Sequence, residues 1–270
     1  MFLPRLSRPR AAEAWLAASK AVHALPRHES HHVLIDIDDP VSETDKDRAV
    51  IAEVDSYLVE HSETGFLVRT VANTIFPQST YEDHGSPAFY NVYIEKVFPK
   101  LKRSSRDWGR YFERMMAHPT PAGPENLLDK LVRKMKRNVE SKSPYRNIYE
   151  LPIYNPVKDA EGSPRGGQCL SYLSFKIDKE RRLLLSAVYR NHYYTEKLLG
   201  NMVGLGRLMQ FVADEAGLTV GPLSILSTHA VVDTGGANQA ALKALHARCA
   251  AILATRVTHR GLTDTARSIS

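Results

Sequence analysis

The run CLSYLSFKIDKERRLLLSAVYRN, Cys169 to Asn191, constrains the fold more than any other stretch of the chain. Apolar and polar residues alternate through CLSYLSFKID and again through RRLLLSAVYRN, the period-two signature of strands with one buried face. KIDKERR supplies the polar turn between them, so the two strands read as a hairpin. YRNIYELPIYNP lies just upstream, and three strands in succession predict an antiparallel meander.

A helix from about Thr195 to Ala216 follows, apolar nearly all round, and such a helix is normally buried at the centre of a domain. Gly200 and Gly204 are one turn apart within it, with Gly206 close by. Each glycine in a helix interior costs about 1 kcal/mol relative to alanine, so something must approach closely, either a packed element or a ligand on the thin face. LTVGPLSILSTHAVVD gives a further strand, and TGGANQAALKALHARCAAILATR the last long helix.

Upstream, Val33 to Ile37 reads as a short strand and Asp47 to His61 as an amphipathic helix. GFLVRTVANTIFPQS then reads as a strand, and PAFYNVYIEKVFPKLKR as a helix that Pro99 interrupts or ends. ENLLDKLVRKMKRNV places Leu127, Leu128, Leu131, Val132 and Met135 on one stripe and its basic residues on the other, a surface helix. No interleaved aromatic residues turn that basic face into a base-stacking platform, so nucleic acid is not the expected partner. The expected fold is α+β, a large mixed or antiparallel sheet with helices packed on one side. Residues 1–62 form an N-terminal α/β extension packed on a core of residues 63–270.

A formal charge of +6, from 36 basic and 30 acidic residues, favours an anionic ligand, and phosphate groups satisfy it as well as nucleic acid does. Two cysteines far apart in sequence make no disulfide framework, which points to a reducing compartment, the cytoplasm. No run of about 18 apolar residues offers a membrane span, and Pro, Arg and Glu break the N-terminal apolar stretch that a secretory signal needs. GxxxxGK[ST] and GxGxxG motifs are both missing. His28, His31 and His32 of HESHH match no standard zinc spacing, so no metal is expected. TGGANQ could cradle a phosphate through free backbone N–H groups, but a plain helix start is the preferred reading.

Cys249, within ALHARCAAILA, reads as a small apolar core residue. Cys169 starts a strand after a Pro/Gly-rich turn that carries Arg165. A cation there would lower the thiol pKa and supply the thiolate that nucleophilic chemistry requires; a buried structural thiol fits the same placement. No Cys-His-Asn signature supports a peptidase.

The order of RT…IFP (Arg69 to Pro77), WG (Trp108, Gly109), YRNIYELPIYNP, QCLSYLSFKID, LLLSAVYRN, LLGNMVGLGRLMQFVADEAGLTVG and STH resembles the thymidylate synthase and pyrimidine hydroxymethylase family over roughly residues 66–245. The resemblance implies a thymidylate-synthase-like fold and a homodimer that pairs sheet to sheet. It puts Cys169 at the nucleophile position, and Arg190 and Arg69 at phosphate-binding positions. Arg146 falls near the paired arginines that this family donates from the partner subunit, and His229 at the histidine that contacts the sugar. For the catalytic glutamate Glu95 is the candidate and Glu113 the reserve.

The implied reaction is one-carbon transfer from methylenetetrahydrofolate to carbon 5 of a pyrimidine nucleoside monophosphate, through addition of the thiolate to carbon 6. Arginines around the phosphate would fix the ring over the sulfur by charge-assisted hydrogen bonds. Gly204 stands where the family reads the base edge with asparagine or aspartate, so base identity stays open, and Asn191 or Asn201 could supply an amide instead. Leu170 replaces the histidine after the nucleophile, Val231 the tyrosine near His229, and the tail TDTARSIS lacks the family's apolar C-terminal closure. A non-catalytic nucleotide- or nucleic-acid-binding protein on the same fold is the competing expectation.

Overall fold

The alternating runs become neighbouring strands of one sheet in the computed structural model, which describes residues 3–62, 65–101, 110–141, 144–160 and 168–255. The first half of the chain carries β1 (Leu6–Arg8), α1 (Ala11–His23), β2 (Glu29–Ile37), α2 (Asp45–His61), α3 (Val68–Asn73), α4 (Gln78–His84), α5 (Ala88–Val92) and α6 (Phe98–Leu101). After it come α7 (Tyr111–Met116), β3 (His118–Thr120), β4 (Gly123–Glu125), α8 (Leu127–Val139), β5 (Tyr149–Pro152) and α9 (Pro156–Asp159). The chain then runs through β6 (Leu170–Ile177), β7 (Arg182–Tyr189), β8 (His192–Tyr193), α10 (Leu199–Ala216), β9 (Thr219–Val231) and α11 (Gln239–Ala254). Trp108, Gly109, Arg165 and the C-terminal tail lie outside the described residues.

The expected meander is present, with β5, β6 and β7 pairing antiparallel in sequence order. β9 lies parallel to β7, a pairing that needs a long crossover, and α10 supplies it. The sheet has seven strands, β1-β2-β9-β7-β6-β5 with β8 beside β9, and it is mixed. The N-terminal extension is built into it, because β2 runs antiparallel along most of β9.

Register makes the two faces of the sheet chemically different. Rows Ile35–Ile225–Ala187–Leu173–Leu151 and Ile37–Leu223–Leu185–Phe175–Tyr149 run across five strands, and every member is buried. Across this face lies α10, which packs on β7 and β9. The opposite face carries Leu34–Leu226–Val188–Tyr172–Pro152 beside Asp36–Ser224–Ser186–Ser174–Glu150. Apart from Asp36, these residues are half-buried or exposed.

Two stretches depart from expectation. Residues 68–73 form a helix, not a strand. Their β-branched residues favour extended backbone, but Val68, Val71, Ala72 and Ile75 also recur at helical spacing and are buried, and burial on one stripe outweighs propensity. The helix ending at Leu101 continues past Pro99 through a π-helical turn, Tyr93–Val97. That wider turn precedes the proline, whose ring would clash with the carbonyl four residues back in a regular α-helix.

The glycines of α10 face protein. A Cβ on Gly200 would lie 2.5 Å from Val71 Cβ, one on Gly204 2.7 Å from the Ala72 carbonyl oxygen, and one on Gly206 2.1 Å from that of Pro40. Gly204 therefore has no part in reading a base: α3 occupies its thin face.

Candidate active site at the ends of β6 and β7

Antiparallel pairing sets Leu170 opposite Tyr189, so Cys169 and Arg190 meet one step beyond, at one end of the sheet. The Arg190 backbone N–H donates to the Cys169 carbonyl at 2.9 Å, and its Nε donates to the Gln168 carbonyl at 2.8 Å. Thr228 Oγ1 on β9 donates to the carbonyls of Tyr189 (3.1 Å) and Arg190 (3.0 Å), tying a third strand to the same corner. The Arg190 side chain is otherwise open to solvent.

Burial pushes the half-buried Cys169 thiol up from its ordinary pKa, and the charges of Arg190 and Lys197 pull it back. Tyr111, at the start of α7, sets its hydroxyl against the backbone amides of Leu170 and Cys169. Tyr189 is fully buried, and its hydroxyl has no hydrogen-bond partner among the described residues. Lys197 projects from the π-helical turn Tyr194–Leu198, with its ammonium 4.8 Å from the centre of the Phe66 ring. Burial lowers the Lys197 pKa, while Glu196, Asp233 and Cys169 act to raise it.

Asp233 closes this side. Burial first, and the Glu196 charge second, raise its carboxyl to about 6. Backbone N–H groups of Thr195 and Gly235 each donate to it at 3.2 Å. Glu196 itself accepts from Ser62 Oγ at 2.8 Å.

Behind the thiol runs a buried polar chain. The His192 ring stacks on Tyr189 at 3.9 Å and 11°. Its Nδ1 lies 3.0 Å from Ser227 Oγ, which also accepts from the Tyr194 hydroxyl at 3.2 Å. Asn201 Nδ2 donates to His192 Nε2 at 2.9 Å, which fixes the neutral tautomer with its proton on Nδ1. Burial depresses the His192 pKa to about 3. Asn201, itself buried, thus holds this ring in place. Beside the chain, His229 Nδ1 donates to Asn191 Oδ1 at 2.8 Å, so those two expected residues form one unit.

Other expected residues lie elsewhere. Arg69 forms an ion pair with Glu43 at 2.8 Å and stands near Arg207. The cations acting on the Cys169 thiol are Arg190 and Lys197. Arg146 is exposed, and its carbonyl accepts from Ile177 at the far end of β6, roughly 25 Å along the strand from Cys169. Glu95 is exposed on the π-helical turn before α6. Glu113 is half-buried on α7, two residues from Tyr111.

The histidines of HESHH disperse: His28 meets the His23 ring edge to face, and His31 lies tilted against His229. No group of three or more His, Cys, Asp or Glu side chains among the described residues could hold a metal ion. TGGANQ is a capped helix start, with Asn238 Oδ1 accepting from the Ala241 N–H at 2.9 Å. On α8, Lys130 and Arg133 pair with Glu125 and Asp129, which blunts the basic face. No described helix is long and apolar enough to cross a membrane.

Tyr111, Tyr189, Lys197 and Asp233 were not among the residues singled out from sequence. Lys197 alone had a signal there, as a lysine at the start of an otherwise apolar helix. Neither protein-family models nor curated proteins match the chain.

Proposed function

We propose that the protein transfers a one-carbon unit from methylenetetrahydrofolate to carbon 5 of a pyrimidine nucleoside monophosphate, on a thymidylate-synthase-like fold, with Cys169 as nucleophile. The observation that carries this reading is the pairing of Cys169 with Arg190, a thiol and a solvent-facing guanidinium locked side by side by strand register.

In the proposed reaction the Cys169 thiolate adds to carbon 6, and the displaced π electrons make carbon 5 nucleophilic. Carbon 5 would then take the one-carbon unit and give up its proton to water, the folate amine would leave with the electron pair of its bond to that carbon, and addition of hydride or water to the resulting exocyclic methylene would push out the sulfur–carbon bonding pair and return the thiolate. Arg190 uses one of its five N–H donors on Gln168 and has the rest for a phosphate, so binding energy is spent on holding the ring over the sulfur. His229 and Asn191, already joined, present a polar edge to sugar or base. Methylenetetrahydrofolate supplies the electrophilic carbon when bound. The ring of Tyr111, whose hydroxyl lies against the Cys169 and Leu170 amides, is a flat surface near the thiol on which its ring system would stack.

A homodimer is part of the same proposal. The apolar row Leu34–Leu226–Val188–Tyr172–Pro152, half-buried or exposed on the sheet face opposite α10, is suited to burial against its own copy. Arg146, remote from Cys169 within one chain, would reach a site only from a second chain.

Release of tritium from carbon 5 tests the reading, using labelled UMP, dUMP, CMP and dCMP with and without methylenetetrahydrofolate. Release by the wild type with one of these nucleotides, lost in Cys169→Ser and kept in Cys249→Ser, is the expected result. Analysis of the product then separates methyl from hydroxymethyl. No release from any nucleotide, or release by Cys169→Ser at the wild-type rate, would overturn it.

A further inference from the structure

A cavity between α1, α2 and α10 brings together two charge imbalances of opposite sign. It measures about 50 Å³, where one water needs roughly 10–15 Å³, and Cys169, Arg190, Tyr111 and Tyr189 are not among the residues that line it. Ile51 of α2 and Leu199 and Val203 of α10 give it apolar walls, while Asp47 enters from α2 and Arg207 from α10. On the α2 side two carboxylates share one guanidinium: Arg10 donates through Nε to Asp47 Oδ2 at 2.9 Å and through Nη2 to Glu13 at 2.7 Å. The other Asp47 oxygen, Oδ1, is buried with no hydrogen-bond partner among the described residues, and the whole residue is only 3% exposed. On the α10 side two guanidiniums share one carboxylate. Arg69 takes Glu43 at 2.8 Å, whereas half-buried Arg207 bonds the neutral Asn73 side chain at 3.0 Å and makes no ion pair among the described residues.

We propose that this cavity binds a small α-amino acid, with the ammonium on Asp47 Oδ1, the carboxylate on the Arg207 guanidinium, and a short side chain against Leu199 and Val203. A buried acceptor without a donor is costly, more so on a charged group, and an ammonium supplies both the donor and the missing positive charge. A guanidinium with donors to spare takes a carboxylate by parallel charge-assisted hydrogen bonds. A cation alone would face Arg207 unpaired, and an anion alone would face Asp47, so a zwitterion is the ligand that answers both walls. Glycine and alanine carry the two charges within five or six non-hydrogen atoms, the scale of the cavity. Exposed Glu82 on α4 is the other carboxylate toward Arg207, but it accepts from Gln78 at 2.9 Å and lies in water, which weakens its charge.

Binding here is independent of the reaction assigned to Cys169, and the test uses the full-length protein without nucleotide. Titration calorimetry at pH 7.5 compares glycine and L-alanine with acetate and ethylammonium, each of which carries one of the two charges. At least one amino acid should bind in the millimolar range, and acetate and ethylammonium should each bind about tenfold more weakly or worse, having lost a charge-assisted hydrogen bond. Arg207→Gln and Asp47→Asn should each weaken the amino acid by at least about tenfold, and Cys169→Ser should bind it as the wild type does. Asp47 also belongs to the capping box of α2, so Arg207→Gln decides the matter should the asparagine variant fold poorly. Amino acids at high concentration stabilise proteins generally by exclusion from the surface, so a rise in melting temperature counts only where it is larger in wild type than in Arg207→Gln. No binding of either amino acid would show that the cavity holds only water and would overturn the proposal. Acetate or ethylammonium binding as tightly as the amino acid, wild-type affinity in Arg207→Gln, or loss of binding in Cys169→Ser would overturn it equally.

Discussion

Cys169 and Arg190 are joined by a backbone hydrogen bond of 2.9 Å, not by a bond between their side chains. The guanidinium is placed by strand register and by the Gln168 carbonyl, and neither depends on the charge state of the sulfur. An anion arriving at Arg190 therefore finds it already in position, so less binding energy is lost to ordering a long side chain.

Arg190→Ala should weaken nucleotide monophosphate binding by roughly 10- to 100-fold, the effect of losing charge-assisted hydrogen bonds of about 1.5–3 kcal/mol. Arg190→Lys should recover only part of that, because a lysine cannot bond Gln168 and a phosphate with one planar fork. Titration calorimetry with the monophosphate and the free nucleoside checks this. Equal binding of both by the wild type would show that Arg190 does not read phosphate.

The meander, the central helix and the hairpin were legible because their signals are local: period-two alternation in β6 and β7, and apolar residues on every side of α10. The neighbours Cys169 and Arg190 follow from that hairpin alone. Helix α3 was not legible, since Val68, Thr70 and Val71 favour extended backbone and the decisive partner, the glycine face of α10, is more than a hundred residues away. Lys197, Tyr111 and Asp233 converge from three distant segments, and no sequence spacing records that convergence. Arg69 shows the same limit, as its partner Glu43 comes from the loop before α2.

Pairing of two copies through the open sheet face predicts a dimer in sedimentation, and a charge in the apolar row should break it. Leu226 and Val188 sit side by side in register on the face opposite α10, so Leu226→Lys and Val188→Lys should each give a folded monomer. Mixing Arg146→Ala with Cys169→Ala chains should then restore part of the activity, through the one site in each heterodimer that keeps both residues. A wild-type monomer would refute the pairing.

Alanine is the better helix former by about 1 kcal/mol, yet Gly200→Ala, Gly204→Ala and Gly206→Ala should all destabilise the protein. Overpacking costs about 1–3 kcal/mol, and at Gly204 and Gly206 the new methyl would meet backbone carbonyl oxygens, which cannot swing aside as a side-chain end can. Gly206→Ala, at 2.1 Å from the Pro40 oxygen, should be the worst of the three. Urea midpoints for the three variants check both the sign and the order.

Acid should unfold the protein early, through two buried histidines. Burial depresses His192 to about 3, and burial together with the His23 and Lys20 charges depresses His246 to about 4. In the unfolded chain both titrate near 6.5, so below that pH the unfolded state binds protons that the folded state refuses. Their contribution is complete above pH 6.5 and is lost as pH falls toward 4 and then 3. With two groups titrating, stability should drop by roughly 2–3 kcal/mol per pH unit between about pH 6 and 4, less what other groups offset. His246 Nε2 lies 2.9 Å from Ser19 Oγ, an arrangement a glutamine can approximate without titrating. His246→Gln should therefore be less stable than wild type at pH 7.5, yet lose less of its stability between pH 6.5 and 4.5. Urea unfolding at pH 7.5, 6.5, 5.5 and 4.5 measures this, and parallel slopes for the two proteins would show that His246 is not one of the acid-sensitive groups.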